Sequence, residues 1–232
     1  TNYGQGYLDH VEAAILAFLG GIKRIIFVPY ALKDWGAYTA KARARFAAMG
    51  IELLSVHEDA GSIALPFASR EGDSETTAIF IGGGNTFRLL KRLREQNLMY
   101  IVEECARRGA KYIGANAGTV VACPTIMTTN DMPIVQLNTF DALNIVPFQI
   151  NPHYLDPEPN SQHMGETRET RIKEFHEENK TPVVGLREGS WIHVEGGYSN
   201  LGGPKLARLF LQGKEPIDIS DGFTIEAAIQ TL

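Results

Sequence analysis

Short, continuous apolar runs alternate with stretches of helical period along the first half of the chain. Arg24-Ile25-Ile26-Phe27-Val28-Pro29, residues 51–56, Ala78-Ile79-Phe80-Ile81 and Lys111-Tyr112-Ile113-Gly114 read as strands covered on both faces. Between them, residues 9–19 carry apolar side chains at Val11, Ala14, Ile15, Phe18 and Leu19, the mark of a helix with one buried face. Gly20-Gly21 ends it. Asp34 is placed to cap a helix running through Met49, with Gly50 as its stop. One helix begins near Thr86 and another spans about residues 98–108, closed by Gly109. Residues 57–75 show no regular pattern. Strand and helix alternating in this way predict an α/β fold with a doubly wound, mostly parallel sheet flanked by helices. Such sheets bind ligands beyond the carboxyl ends of their strands.

After Cys123-Pro124 the pattern changes. Residues 126–135 and 145–150 read as strands, the second ending in Asn151-Pro152-His153. A loop from Asp156 to Gln162 follows, long enough to cover a site and favour short substrates. A charged helix over residues 166–178 buries Ile172 and Phe175. Residues 182–186 form a strand, and 191–194 with 206–211 a closing antiparallel part. No repeat, low-complexity tract or linker interrupts the chain, so residues 1–232 are expected to form one domain. The turn-like opening, Thr1 to Gly6, suggests that a strand upstream is missing from the sequence.

Two glycine-rich stretches fall at predicted strand ends. Gly114-Ala115-Asn116-Ala117-Gly118 has the G-x-S-x-G spacing of a nucleophile elbow, a strained strand-to-helix turn that lifts one side chain above a sheet. The middle residue is Asn116, whose amide is not a useful nucleophile. Gly82-Gly83-Gly84-Asn85-Thr86 lacks the Lys-Ser/Thr of a phosphate loop and the dinucleotide spacing. Its glycines suit close approach of a backbone N–H to a tetrahedral oxyanion. Downstream, Asp131 and His153 stand in turn or strand-end contexts. They supply the acid and base that a hydrolytic triad requires after the elbow. By spacing alone the triad signal is weak, and they read more readily as a turn aspartate and a half-buried loop histidine.

The net charge of −5 disfavours nucleic acid and anionic membranes as partners, and an anionic substrate would need a local cation. Cys105 and Cys123 make no disulfide framework, which fits a reducing cytosol. No apolar run approaches the ~20 residues of a membrane span. No signal peptide opens the sequence. His10, His57, His163, His176 and His193 lack metal-ligand spacing and read as structural or exposed. Trp191 and Tyr154 read as packing residues.

Several stretches taken together resemble the peptidase E, or α-aspartyl dipeptidase, family. They are Gly82 to Phe87, Gly114 to Gly118, Ala122 to Ile126, Thr128 to Val135, Phe140 to Leu143, Gln149 to His153 and Gly165 to Glu169. The resemblance covers nearly the whole chain. It implies a fold like that of class I glutamine amidotransferases and a cytoplasmic serine dipeptidase. Such an enzyme removes N-terminal aspartate from Asp-X dipeptides with no metal or other cofactor. The expected partner is a small peptide, and the expected state a monomer or small homo-oligomer, between which the sequence does not choose. By the same resemblance the nucleophilic serine falls at Asn116, the acid at Asp131 and the base at His153. The oxyanion-hole amides fall at Gly84 and Ala117. The arginine that reads the substrate carboxylate falls at Arg168, where residue pattern alone would indicate a solvated helix charge. Arg171, one turn on, reads as surface.

Asn116 is the one departure from that frame. Asn tolerates positive φ better than most residues, so the turn survives while the attacking oxygen is gone. Thr119 and Cys123, about one and two turns further on, are poor substitutes. Three origins fit: a substitution made to trap a peptide, an inactive relative that binds aspartyl peptides, or direct attack by water with His153 as base. The intact remainder of the frame favours the first. A non-catalytic binder and a hydrolase of aspartate-containing polymer, like cyanophycinase, are the alternative functions.

Overall fold

The computed structural model describes residues 3–4, 6–59, 77–158, 165–221 and 224–231. Residues 60–75 of the patternless stretch, 159–162 of the loop from Asp156 to Gln162, and His163 lie outside the described residues. Contacts divide the chain into two compact units, Thr1–Ile126 with Asp131–Ile145, and Met127–Asn130 with Val146–Leu232.

In the first unit four strands, β1 (Arg24–Val28), β2 (Glu52–Ser55), β3 (Thr77–Ile81) and β4 (Lys111–Gly114), form one parallel sheet in the order β2-β1-β3-β4. Successive residues of a strand point to opposite faces, and the core divides accordingly. Ile25, Phe27, Ala78 and Phe80 pack with Ile15 and Leu19 of α1 (Glu12–Leu19) and with Tyr38, Ala42 and Phe46 of α2 (Trp35–Ala48). Ile26, Val28, Ile79 and Ile81 pack on the other face. Their partners are α3 (Thr86–Glu95), α4 (Leu98–Arg107) and α5 (Ala117–Val121). The sheet is therefore wound on both sides, which is why its strands are apolar throughout instead of alternating. Asp34 caps α2, its Oδ1 accepting from Ala37 N–H at 2.9 Å. Asn85 caps α3 in the same manner, through Arg88 N–H at 3.0 Å.

The strand order reverses between β1 and β3. At that switch point, a crevice opens at the carboxyl edge of such sheets. The Gly82–Gly84 loop leaves β3 there, and Gly82 N–H and Asn85 N–H donate to Val28 and Ala31 at the end of β1, at 3.3 and 2.9 Å. The elbow leaves the neighbouring strand β4.

The second unit contains a sheet ordered β10-β9-β6-β5. Here β5 (Gln149–Pro152) and β6 (Val183–Leu186) are parallel, while β9 (Ala207–Phe210) and β10 (Ile217–Ile219) are antiparallel additions. The helix α6 (Arg168–Glu178) packs Ile172 with Tyr154, Val183 and Phe210. A separate hairpin pairs β7 (Trp191–Glu195) with β8 (Tyr198–Gly202), and α7 (Ile225–Thr231) follows β10.

Three expectations change. The strand over residues 126–135 is absent: the segment from Cys123 to Ile145 is irregular, with one isolated bridge between Thr125 and Asp141. Ile126 is buried but Met127, Met132 and Ile134 are exposed, so residues 126–135 present no continuous buried strand face. The strand expected over 145–150 begins only at Gln149. The two closing segments lie in different sheets, because β7 pairs with β8 while β9 joins β6 and β10.

The close approach of α5 to the sheet requires the second glycine of the elbow. A Cβ on Gly118 would lie 2.0 Å from the carbonyl oxygen of Ile81, and one on Gly114 would lie 2.6 Å from that of Gly118. Gly118→Ala is expected to destabilise the chain by about 3 kcal/mol or more, since backbone on both sides must move. Urea unfolding of the two chains compares them directly.

Candidate active site

The elbow forms as its spacing predicts. Asn116 has φ 48° and ψ −104°, a conformation that costs about 1–3 kcal/mol in a residue with a side chain. Neighbouring bonds fix it. Ala115 N–H donates to Ile81 at 3.1 Å, Gly118 N–H to Ala115 at 2.9 Å, and Val120 N–H to Asn116 at 3.0 Å. The Tyr112 hydroxyl donates to the Gly118 carbonyl at 2.5 Å, and burial raises that phenol well above its ordinary pKa. Thr119 Oγ1 donates to the Gly114 carbonyl at 2.9 Å, so its hydroxyl braces the turn. Cys123 is buried beyond the end of α5, its Sγ 3.6 Å from the Thr119 carbonyl.

The glycine loop lies against this turn. A Cβ on Gly83 would fall 3.0 Å from the Cβ of Asn116, and Asn116 Nδ2 reaches the Gly84 carbonyl at 3.3 Å. Gly84 has φ +141°, and a Cβ there would meet the Ala31 carbonyl oxygen at 2.5 Å. In the loop, Gly82 N–H, Gly83 N–H and Asn85 N–H have acceptors in Val28, the Tyr38 hydroxyl and Ala31. Among the described residues no protein acceptor is found for Gly84 N–H, nor for Ala117 N–H at the first position of α5. Two backbone donors are thus left unbonded beside residue 116, the requirement for holding a developing oxyanion.

Asp131, also in the first unit, accepts through Oδ2 from Thr86 N–H at 2.8 Å and Thr86 Oγ1 at 2.6 Å. Its neighbour Met132 accepts from Asn85 Nδ2 at 2.9 Å. The aspartate therefore pins the start of α3 and, through it, the glycine loop.

In the second unit His153 follows β5 with φ 55°. Its Nδ1 is hydrogen bonded to Glu188 Oε1. The carboxylate expected to orient this ring was that of Asp131; the one on the ring is that of Glu188, and Asp131 is engaged by Thr86. No pattern in the sequence singled out Glu188. The usable signal was positional: β5 and β6 are parallel neighbours with Pro152 opposite Leu186, and both residues lie just past those ends. The pair is braced from both sides. Tyr154 N–H donates to Leu186 at 3.1 Å, and Asn130 Nδ2 to the Pro152 carbonyl at 2.6 Å. Arg187 forms a bidentate pair with Asp156 at 2.8 and 2.6 Å and also reaches Asp218 at 2.9 Å. That guanidinium holds Asp156 below the ordinary carboxylate range.

Arg168 is the first residue of α6 and is half-buried. Arg171 is exposed and pairs with Glu166 at 3.4 Å. His176 is buried, with Nε2 3.0 Å from the Thr181 carbonyl, a structural role. Among the described residues no group of three or more His, Cys, Asp or Glu could hold a metal ion, and no helix is long and apolar enough to cross a membrane.

These features define the class: an α/β protein of the amidotransferase-like kind with a hydrolase elbow at the carboxyl edge of its parallel sheet. Residues 1–202 match the model of peptidase family S51, and the chain belongs to that family, one of serine-type peptidases. The chain is 49% identical over 222 residues to peptidase E of Streptomyces coelicolor, covering 96% of this chain and 88% of that protein. It is 41% identical over 222 residues to peptidase E of Escherichia coli O6:K15:H31 strain 536, covering 94% and 93%. Among solved structures, a putative peptidase E from Listeria monocytogenes EGD-e superposes with a TM-score of 0.65 at 22% identity, over 85% of this chain and 95% of that one. A peptidase from an acI-B1 Actinobacterium gives 0.69 at 14% identity, over 95% and 93%. Both share the fold.

Asp131→Ala removes the acceptor of two hydrogen bonds at the start of α3. A loss of about 1–3 kcal/mol in unfolding free energy is expected, read by urea titration.

Proposed function

We propose that the chain carries the scaffold of an α-aspartyl dipeptidase whose nucleophile position is held by Asn116. The observation that carries this reading is the pair of unbonded amides, Gly84 and Ala117, beside a residue held on a strained elbow turn. Membership of a peptidase family gives that geometry its reaction: attack on a peptide carbonyl, with negative charge developing on its oxygen.

In the active form a serine at 116 attacks the carbonyl carbon of the Asp-X bond. His153 takes the serine proton and passes it to the leaving amine. The amides of Gly84 and Ala117 hold the oxyanion. Glu188 orients the His153 ring and stabilises the imidazolium, in place of the Asp131 first expected there. Asp131 instead holds the glycine loop through Thr86. Arg168 pairs with the side-chain carboxylate of the substrate, a bidentate geometry that a guanidinium suits. A local cation also answers the −5 net charge that would otherwise repel an acidic dipeptide. Water then releases aspartate from the acyl-enzyme, with His153 again as base. The reading includes a cytoplasmic location.

With Asn116 in place the attacking oxygen is missing, and the side-chain amide donates to the Gly84 carbonyl instead. Loss of the nucleophile in a triad enzyme costs about 10⁶ in kcat. The chain as it stands is therefore expected to show no turnover of Asp-Leu, and Asn116→Ser to hydrolyse it. On that serine background Glu188→Gln is expected to lower kcat by about 10⁴, as loss of a triad carboxylate does. Binding of Asp-Leu by Asn116→Ser without any hydrolysis would instead make the protein a peptide-binding module.

Arg168→Ala, also on the serine background, should reduce kcat/KM for Asp-Leu at least a hundredfold while the melting temperature holds. A parallel loss of thermal stability would reduce Arg168 to a structural residue.

A further inference from the structure

Three glycines in a row give the loop after β3 great conformational freedom, yet one amide in it must point at a single place. The bonding of the loop shows how that freedom is removed. Asn85 N–H is held by the Ala31 carbonyl, which fixes the peptide after Gly84. Gly83 N–H is held by the hydroxyl of Tyr38 at 2.7 Å, which fixes the peptide before Gly83. The peptide between Gly83 and Gly84 is thereby anchored on both flanks, and its N–H alone in the loop has no protein acceptor among the described residues.

Tyr38 reaches the loop from α2. Its ring lies edge-on to Phe27 at 5.1 Å between centroids, and it is buried. A Cβ on Gly82 would sit 2.4 Å from its hydroxyl oxygen, so the second glycine-loop constraint is imposed by this side chain. The hydroxyl accepts from Gly83 and is 3.1 Å from the hydroxyl of Tyr7, also buried. With one lone pair occupied by Gly83, the Tyr38 proton is available to Tyr7. Burial, the larger influence, raises the Tyr38 pKa above its ordinary value, so the phenol stays neutral and keeps this arrangement. Tyr7 and Tyr38 bring their hydroxyls into a cluster that includes Phe27, Phe46 and Phe80, a costly placement unless the hydroxyls are bonded.

We propose that Tyr38 is a positioning residue for catalysis: its hydroxyl holds the Gly83 amide and so leaves the Gly84 amide aimed as an oxyanion donor. The proposal rests on the dipeptidase reading given above. It predicts a loss in the transition state more than in substrate binding, because the ground-state carbonyl needs the Gly84 donor less than the oxyanion does.

The test uses Tyr38→Phe, which keeps the ring and removes the hydroxyl, and Tyr7→Phe, which leaves the Gly83 bond in place. On the Asn116→Ser background, Tyr38→Phe should lower kcat for Asp-Leu about tenfold to a hundredfold, somewhat less than removal of a donor itself. KM should stay within about twofold, and Tyr7→Phe should have a much smaller effect on kcat. In the chain as it stands, with ¹⁵N-glycine, exchange of the Gly83 amide should accelerate at least about tenfold in Tyr38→Phe once its acceptor is gone. Faster exchange with an unchanged kcat, or a loss confined to KM, overturns the proposal. Unchanged exchange at Gly83 overturns it as well. If Asn116→Ser itself shows no turnover, the dipeptidase reading fails, and with it the catalytic role of Tyr38. Accelerated exchange would then assign Tyr38 to loop structure alone.

Discussion

The carbonyl oxygen of Ile81 leaves no room for a side chain at Gly118, and the first unit is arranged around that approach. The contact brings α5 against the end of β3. It forces the chain to turn within three residues of leaving β4, and it puts residue 116 at φ 48°. A strained backbone persists only where its surroundings over-determine it. Here those surroundings are Tyr112 on the Gly118 carbonyl, Thr119 on the Gly114 carbonyl, and the ladder bond from Ala115 to Ile81. The same strand, β3, continues into the glycine loop. One strand end therefore sets both the height of residue 116 and the position of the amide beside it.

The arrangement separates framework from reaction. Every bond that shapes the elbow is made by backbone or by Tyr112 and Thr119, and none requires a particular side chain at 116 beyond tolerance of positive φ. Asparagine meets that demand while lacking an attacking oxygen. The framework of the turn is thus independent of the side chain at 116, and the family relationship is legible at 49% and 41% identity.

The second unit solves a related problem with charge. His153 occupies a left-handed conformation after Pro152, a position that needs external support. It is met by Glu188 on the ring, by Asn130 on the Pro152 carbonyl and by the Arg187–Asp156 pair across two parallel strand ends. Arg187 is largely enclosed, 13% exposed, and its partners satisfy both edges of the guanidinium.

What the sequence determined by itself was local or periodic. Apolar runs of both-face burial identified β1 to β4, the cap at Asp34 followed from residue type, and Gly114-x-x-x-Gly118 marked the elbow. Glycine spacing works as a signal because it reports contacts a Cβ would block, and those recur wherever the turn recurs. Residues 126–135 misled because apolar content alone cannot distinguish a strand from an exposed irregular segment. What only the tertiary structure decided were partnerships between residues far apart in the chain. Glu188 meets His153 across 35 residues, Asp131 meets Thr86 across 45, and Tyr38 meets Gly83 across 45. A carboxylate or a phenol looks the same in sequence whether it bonds a histidine ring, caps a helix or faces water. Its partner is chosen by which strand ends the fold makes neighbours, and no periodicity along the chain records that choice.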